Sequence, residues 1–184
     1  MTVTPSQTVG PFYGYALPFP GGADLAPGHP GAITVHGYVY DGAGAPVPDA
    51  LLEFWQAGPD GSRAGATGSM RRDPVTGAVA GRDGVAFTGF GRVATDPDGH
   101  YTLRTLPPGG TPYLGVCVFA RGLLHHLYTR VYLESSPGDP VLSGLTAERA
   151  ATLIATPERP GVLRFDVRLQ YDGTHEETVF LAFE

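Results

Sequence analysis

The chain has 184 residues, enough to bury a full hydrophobic core as one domain. Its 42% apolar content excludes whole-chain disorder, and its 27 Gly and 18 Pro follow no collagen period, so they read as turn punctuation in an all-β protein. The net charge of −6, with twelve Arg and no Lys, leaves no basic surface of the kind nucleic-acid binding needs.

In chain order, the first segment is TPSQTVGPF (residues 4–12). Pro5 and Pro11 bar it from a helix interior and from a central strand. Such a segment stays ordered by lying across something else. Residues 33–40 alternate, with Ile33, Val35, Gly37 and Val39 on one face and Thr34, His36, Tyr38 and Tyr40 on the other. The turn DGAGAPVP (41–48) follows, with Gly42 and Gly44 for tightness and Pro46 and Pro48 for stiffness. A second strand spans 50–56 and ends near the single tryptophan, Trp55.

Residues 57–86 are rich in Gly, Arg, Asp and Ala, without a period. Loops of such length are either functional or mobile surface excursions. Strands are expected over 87–94 and 100–105, joined by the turn TDPDG (95–99), with LPPGG (106–110) breaking the second. The stretches 113–120 and 124–133 form a long apolar pair. On the latter, Tyr128, Arg130 and Tyr132 share a polar face opposite Leu127, Thr129, Val131 and Leu133, a pattern that suits a subunit interface or a solvated sheet face. Residues 137–144 read as an exposed loop, and 146–154 as the one short helix, capped by Thr146. Strands over 163–170 and 178–183 close the chain. The expected fold is an all-β sandwich of mixed short strands with long loops and one short helix.

Cys117 stands alone, so no intrachain disulfide forms. Amid aliphatic neighbours it reads as a small core residue rather than a nucleophile. No basic and apolar leader pattern opens the chain, and no apolar run reaches bilayer length, so a cytoplasmic protein without membrane partners is expected. The six histidines do not pair at metal-ligand spacing. On a strand, His125 and His126 would point to opposite faces, one packed and one exposed.

Residues 35–56 and 91–109 resemble transthyretin-like and carboxypeptidase-regulatory-like sandwich modules, which bind other molecules or act as spacers. A non-catalytic binding or scaffold sandwich is therefore one reading. A wider resemblance runs from Thr4 to the C-terminal strand. It comprises the arm, LEFWQ (52–56), GFGR (89–92), RTLPPG (104–109), FARG (119–122), HLYTRVYLE (126–134), RFDVRLQ (164–170) and ETVFLAF (177–183). In order and spacing these segments resemble the intradiol aromatic-ring dioxygenases. The resemblance implies one domain over 1–184, with residues 1–30 an N-terminal arm reaching a partner subunit.

Catalytic chains of that family hold non-heme Fe(III) through two tyrosines and two histidines, hard phenolates suiting the ferric state. By resemblance the histidine positions fall on Tyr113 and Gly115. The first tyrosine position is empty, since no tyrosine lies between Tyr40 and Tyr101. The resemblance is therefore to the non-metal alpha subunit of the two-chain members. It implies that iron is held by a homologous beta subunit in a hetero-oligomer. It also implies that Thr8, Val9, Gly10, Pro11 and Phe12 line the substrate cavity, and that Arg121 attracts a substrate carboxylate. No catalytic residue and no metal ligand is expected in this chain. The implied reaction is O2-dependent intradiol cleavage of a small aromatic substrate, 3,4-dihydroxybenzoate, to 3-carboxy-cis,cis-muconate. A third reading, a self-sufficient iron enzyme with unusual ligands, has too few donors in the sequence.

Overall fold

A computed structural model describes residues 8, 10, 12–63, 70–82 and 87–182. Two sheets form the body. The alternation noted above becomes β1 (Ile33–Tyr40), in which Val35, Gly37 and Val39 are buried. β2 (Leu51–Trp55) lies in the other sheet. A hairpin of β3 (Met70–Arg72) and β4 (Val79–Arg82) projects from the long 57–86 stretch. Arg82 secures its far end: the guanidinium is buried, donates to the Phe90 carbonyl at 2.6 Å and also bonds Thr88.

β5 (Phe90–Ala94), β7 (Tyr113–Phe119) and β8 (Leu127–Tyr132) complete the β2 sheet, in the order β5-β2-β7-β8, all antiparallel. In the first sheet β1 is central. It pairs antiparallel with β6 (His100–Thr105) on one edge. On the other it runs parallel to β10 (Val162–Arg164) and then β11 (Val167–Arg168), with β9 (Thr156–Arg159) outside β10. The inner faces bury Val35, Val39, Leu52, Phe54, Tyr101, Leu114, Val116 and Val131, among others. The expected sandwich is thus realised, and no helix among the described residues is long and apolar enough to cross a membrane.

Some elements differ from the sequence reading. The expected 163–170 strand divides because the Phe165 carbonyl accepts the buried Tyr101 hydroxyl at 2.6 Å rather than continuing the ladder. The Tyr38 N–H then donates to the Asp166 carboxylate at 3.0 Å. Gly37 lets this bend approach, since a Cβ there would sit 1.9 Å from the Phe165 oxygen. Of the expected 178–183 strand, the described part forms only a bridge between Leu181 and Tyr128, whose backbones bond at 2.8 Å.

Among the described residues there are three short helices rather than one. α1 (Tyr13–Ala16) lies within the expected 1–30 arm, and α2 (Pro140–Ser143) occupies the expected exposed loop. Asp139 caps α2 through the Val141 and Leu142 N–H groups, with Pro140 at its first position. α3 (Ala147–Ala151) is the anticipated helix with its Thr146 cap, ending earlier than expected. Leu142, Leu145 and Leu153 from this region pack with Val179 over Tyr132. Tyr132, expected on an open polar face, is therefore fully buried, because this layer covers the end of β8.

Within residues 1–30, the expected arm, the part that follows α1 packs on the chain's own body. Phe19 is buried beside Phe90, with the Arg82 and Arg92 guanidinium groups 5.6 and 6.0 Å from its ring centre. Leu25 lies in the sandwich core, its N–H donating to the Arg104 carbonyl.

Candidate functional site

Two places carry chemistry. The first is the rim where α1 meets the turn after β7. Chain reversal there puts Gly122 at φ +92°, which a glycine tolerates, and leaves Arg121 at the surface with 67% of its side chain exposed. Its Nε donates to Asp49 Oδ2 at 2.6 Å, and Nη2 pairs with the same oxygen. The Asp49 carbonyl accepts the Tyr13 hydroxyl at 2.5 Å. Burial, followed by the Asp49 charge, raises the Tyr13 phenol above its ordinary range. The hydrogen bond and charge of Asp49 raise the Arg121 guanidinium as well, so Arg121 is a permanent cation.

Tyr13 therefore pins the base of the arm beside Arg121. Phe12 is 78% exposed and Tyr15 88% exposed on the same short segment. Thr8 is exposed, and Gly10 has φ +76° with no atom near a hypothetical Cβ. Val9 and Pro11 lie outside the described residues. Aromatic rings continue across the sheet: Tyr13 to Phe119 at 6.5 Å, Phe119 to His126 at 5.5 Å, and His126 to Tyr128 at 4.7 Å. His125 and His126 are both exposed, not one packed, because β8 begins only at Leu127. His126 Nε2 meets the Tyr128 hydroxyl at 2.7 Å.

Sequence reasoning missed Tyr13 and Asp49. They come from segments 36 residues apart, and Asp49 lies 72 residues from its Arg121 partner. It also missed His36 and His100. β1–β6 pairing brings His36 Nδ1 to 3.0 Å from His100 Nε2, while His36 Nε2 meets Glu158 at 2.8 Å.

The second place is the outer face of the β2 sheet. Trp55, Gly115 and Arg130 lie side by side across three strands. With Tyr113, Cys117 and Tyr128 they line a cavity of about 200 Å³. The Arg130 guanidinium carbon lies 4.0 Å from the Tyr113 ring centre. Its Nη1 donates to the Tyr132 hydroxyl at 3.1 Å and lies 3.7 Å from Asp139 Oδ1.

Tyr113 and Gly115 are the positions the resemblance assigns to two metal-binding histidines. They do not fit a ferric ion. Gly115 has no donor, and Tyr113 carries a guanidinium against its ring. Among the described residues no three His, Cys, Asp or Glu side chains converge on a possible metal position. Burial, then the Glu53 charge, pushes the Cys117 thiol up to about 12, so at neutral pH it is neither thiolate ligand nor nucleophile. Native protein at pH 8 will accordingly resist iodoacetamide at Cys117, while unfolded protein alkylates fully. Mass spectrometry before and after urea checks this, and rapid native labelling would refute it.

A family model described as Dioxygenase matches residues 22–123, more than half of the chain. The chain belongs to this family. Within it, similarity is strong to alpha chains: the protocatechuate 3,4-dioxygenase alpha chain of Burkholderia cepacia is 41% identical, over 96% of this chain and 95% of that one. The beta chain from the same organism is 30% identical over 60% of this chain and 47% of its own length. Among solved structures, the dioxygenase domain of a dioxygenase–carbohydrate-binding fusion from Streptomyces sp. SirexAA-E has a TM-score of 0.55 and 28% identity. The match covers 91% of this chain and 98% of that one.

Proposed function

We propose that the chain is the non-metal alpha subunit of a protocatechuate 3,4-dioxygenase, a hetero-oligomer with a homologous beta chain. The end-to-end match to an alpha chain carries this reading, and the absence of histidine at positions 113 and 115, where the sequence has Tyr and Gly, supports it. Non-heme Fe(III) on the beta chain would supply the activation of the bound catecholate toward O2. This chain's residues would bind and orient 3,4-dihydroxybenzoate, which is cleaved to 3-carboxy-cis,cis-muconate.

In this reading residues 1–184 are one domain whose arm reaches the partner. Tyr13 fixes the arm, residues 1–30, beside Arg121, and the stretch up to Phe12 would be the part that reaches the partner. Thr8, Val9, Gly10, Pro11 and Phe12 line the partner's cavity, where Gly10 permits close backbone approach. The exposed Arg121 attracts the substrate carboxylate, and Asp49 holds the guanidinium in place until the substrate arrives. The single buried cysteine accords with a cytoplasmic location.

Iron content and the visible phenolate-to-iron absorption band test the proposal. They are measured on this chain alone and on the chain co-expressed with its beta homologue. The expected result is a colourless, iron-free single chain and a coloured complex that cleaves protocatechuate. Stoichiometric iron in the single chain would overturn the subunit assignment. A chain that never joins an iron-bearing partner would favour a scaffold sandwich.

A further inference from the structure

We propose that His36 and His100 form a two-histidine site for a divalent transition-metal ion, Ni(II) or Cu(II), on the outer face of the β1 sheet. The site uses neither the arm nor Arg121, so it stands or falls independently of the proposed function.

The strand register makes the site. β1 and β6 pair antiparallel, with His36 opposite Thr102 and Tyr38 opposite His100. The two histidines are therefore diagonal neighbours on one face, a spacing that long side chains bridge. His36 Nδ1 lies 3.0 Å from His100 Nε2, and the ring centres are 5.2 Å apart. A carboxylate stands behind the other nitrogen of each ring. Glu158 Oε2 is 2.8 Å from His36 Nε2, and Asp96 Oδ2 is 4.0 Å from His100 Nδ1. The Asp98 and His100 N–H groups fix Asp96 through its other oxygen, each at 2.9 Å. A carboxylate draws the single proton of a neutral imidazole to the nitrogen that faces it. His36 Nδ1 and His100 Nε2 are then bare lone pairs that face each other and call for a shared cation. Carboxylates placed on the outer nitrogens are what orient metal-bound histidines.

Distance selects the class of metal. Two nitrogens bound at about 2.0–2.1 Å lie about 2.9 Å apart at a right angle and about 3.3–3.4 Å apart in a tetrahedron. The observed 3.0 Å matches the right angle, which Ni(II) and Cu(II) favour with nitrogen and oxygen ligands. A small turn of each ring about its Cβ–Cγ bond brings both lone pairs onto one ion. The His36 and His100 side chains are 20% and 27% exposed, so water completes the coordination from the open side. Charge agrees. Two neutral imidazoles flanked by Glu158 and Asp96 carry two negative charges, which a divalent ion balances. Arg164, the cation over the neighbouring Tyr38 ring, is offset by Asp166 at 2.9 Å. The bound ion would tie β1 to β6 and, through Glu158, to the edge strand β9.

The test is calorimetric titration of NiCl2 into the full chain at pH 7.5, stripped of loosely held metal, in whatever assembly it purifies. One saturable equivalent is expected. His36→Gln and His100→Gln each weaken it at least 10-fold, and Glu158→Gln, which keeps both ligands, weakens it about 10-fold. His175→Gln leaves it intact. Binding should fall as pH drops from 8 to 6, since a ligating imidazole must shed its proton. Acylation of the wild type by diethyl pyrocarbonate, read by mass spectrometry, needs no variant to fold: Ni(II) should protect His36 and His100 but not the exposed His29 and His175. An equivalent insensitive to His36→Gln and His100→Gln, or wild-type protein without that protection, would overturn the site. Tighter binding of Zn(II) than of Ni(II) would overturn the right-angle geometry and with it the class of metal.

Discussion

Gly37→Ala will destabilise the chain by about 3–5 kcal/mol, a large part of the roughly 5–15 kcal/mol that holds a domain together. The added Cβ would fall 1.9 Å from the Phe165 oxygen and 2.6 Å from its carbonyl carbon. Both are backbone atoms, so the parallel pairing between β1 and the 162–168 segment must separate. Separation costs the Tyr101 hydroxyl its buried acceptor and the Tyr38 N–H its carboxylate partner. An unsatisfied buried hydroxyl alone costs about 1–3 kcal/mol. For a chain of this length, melting should fall by about 10 °C. Gly115→Ala is the internal control: it is the same change in a strand of the other sheet, with only ordinary contacts around it, and it should move the midpoint by a degree or two. Thermal or urea unfolding of the two variants side by side decides the matter. A Gly37→Ala midpoint equal to that of Gly115→Ala would show that the bend at Phe165 does not hold the sheet.

The bend also marks where a sequence stops being readable. β1 is legible because alternation is a local property, and its ends are those expected. The division of the closing strand is not, since it depends on a hydroxyl 64 residues away. β9 escapes notice because all four of its residues are exposed, so no burial pattern distinguishes it. α2 had a readable signal, an Asp-Pro pair whose side chain and fixed φ start a helix, but it spans only four residues. At the candidate site, Arg121 was legible through resemblance, whereas Asp49, which holds it, was not. The His36–His100 contact needs the β1–β6 register, which spacing along the chain does not give. Tyr132 illustrates the same limit. Its strand parity was right, but what covers that face comes from residues 140–155 and 179, outside its own strand.

Arg121→Ala, made in the assembled complex, should raise the KM for 3,4-dihydroxybenzoate about 10- to 100-fold, the scale of a lost charge-assisted hydrogen bond to a carboxylate. The guanidinium is two-thirds exposed and its intramolecular partner Asp49 sits at the surface rim, so the fold should not depend on the pair. A changed melting point would therefore point to a different role. The carboxylate is remote from the bond being cleaved, so the contact is made equally in the ground and transition states. Loss of it should appear in KM, with kcat little altered. Two comparisons make the assignment specific. With catechol, which has no carboxylate, wild type and variant should have the same KM. Raising ionic strength should weaken substrate binding in the wild type more than in the variant, because screening acts on an exposed pair of opposite charges. Asp49→Asn should raise KM far less than Arg121→Ala, since the guanidinium remains and the asparagine oxygen can still accept from its Nε and hold it in place. An unchanged KM for 3,4-dihydroxybenzoate in Arg121→Ala would remove Arg121 from the binding site and leave substrate orientation to the arm alone.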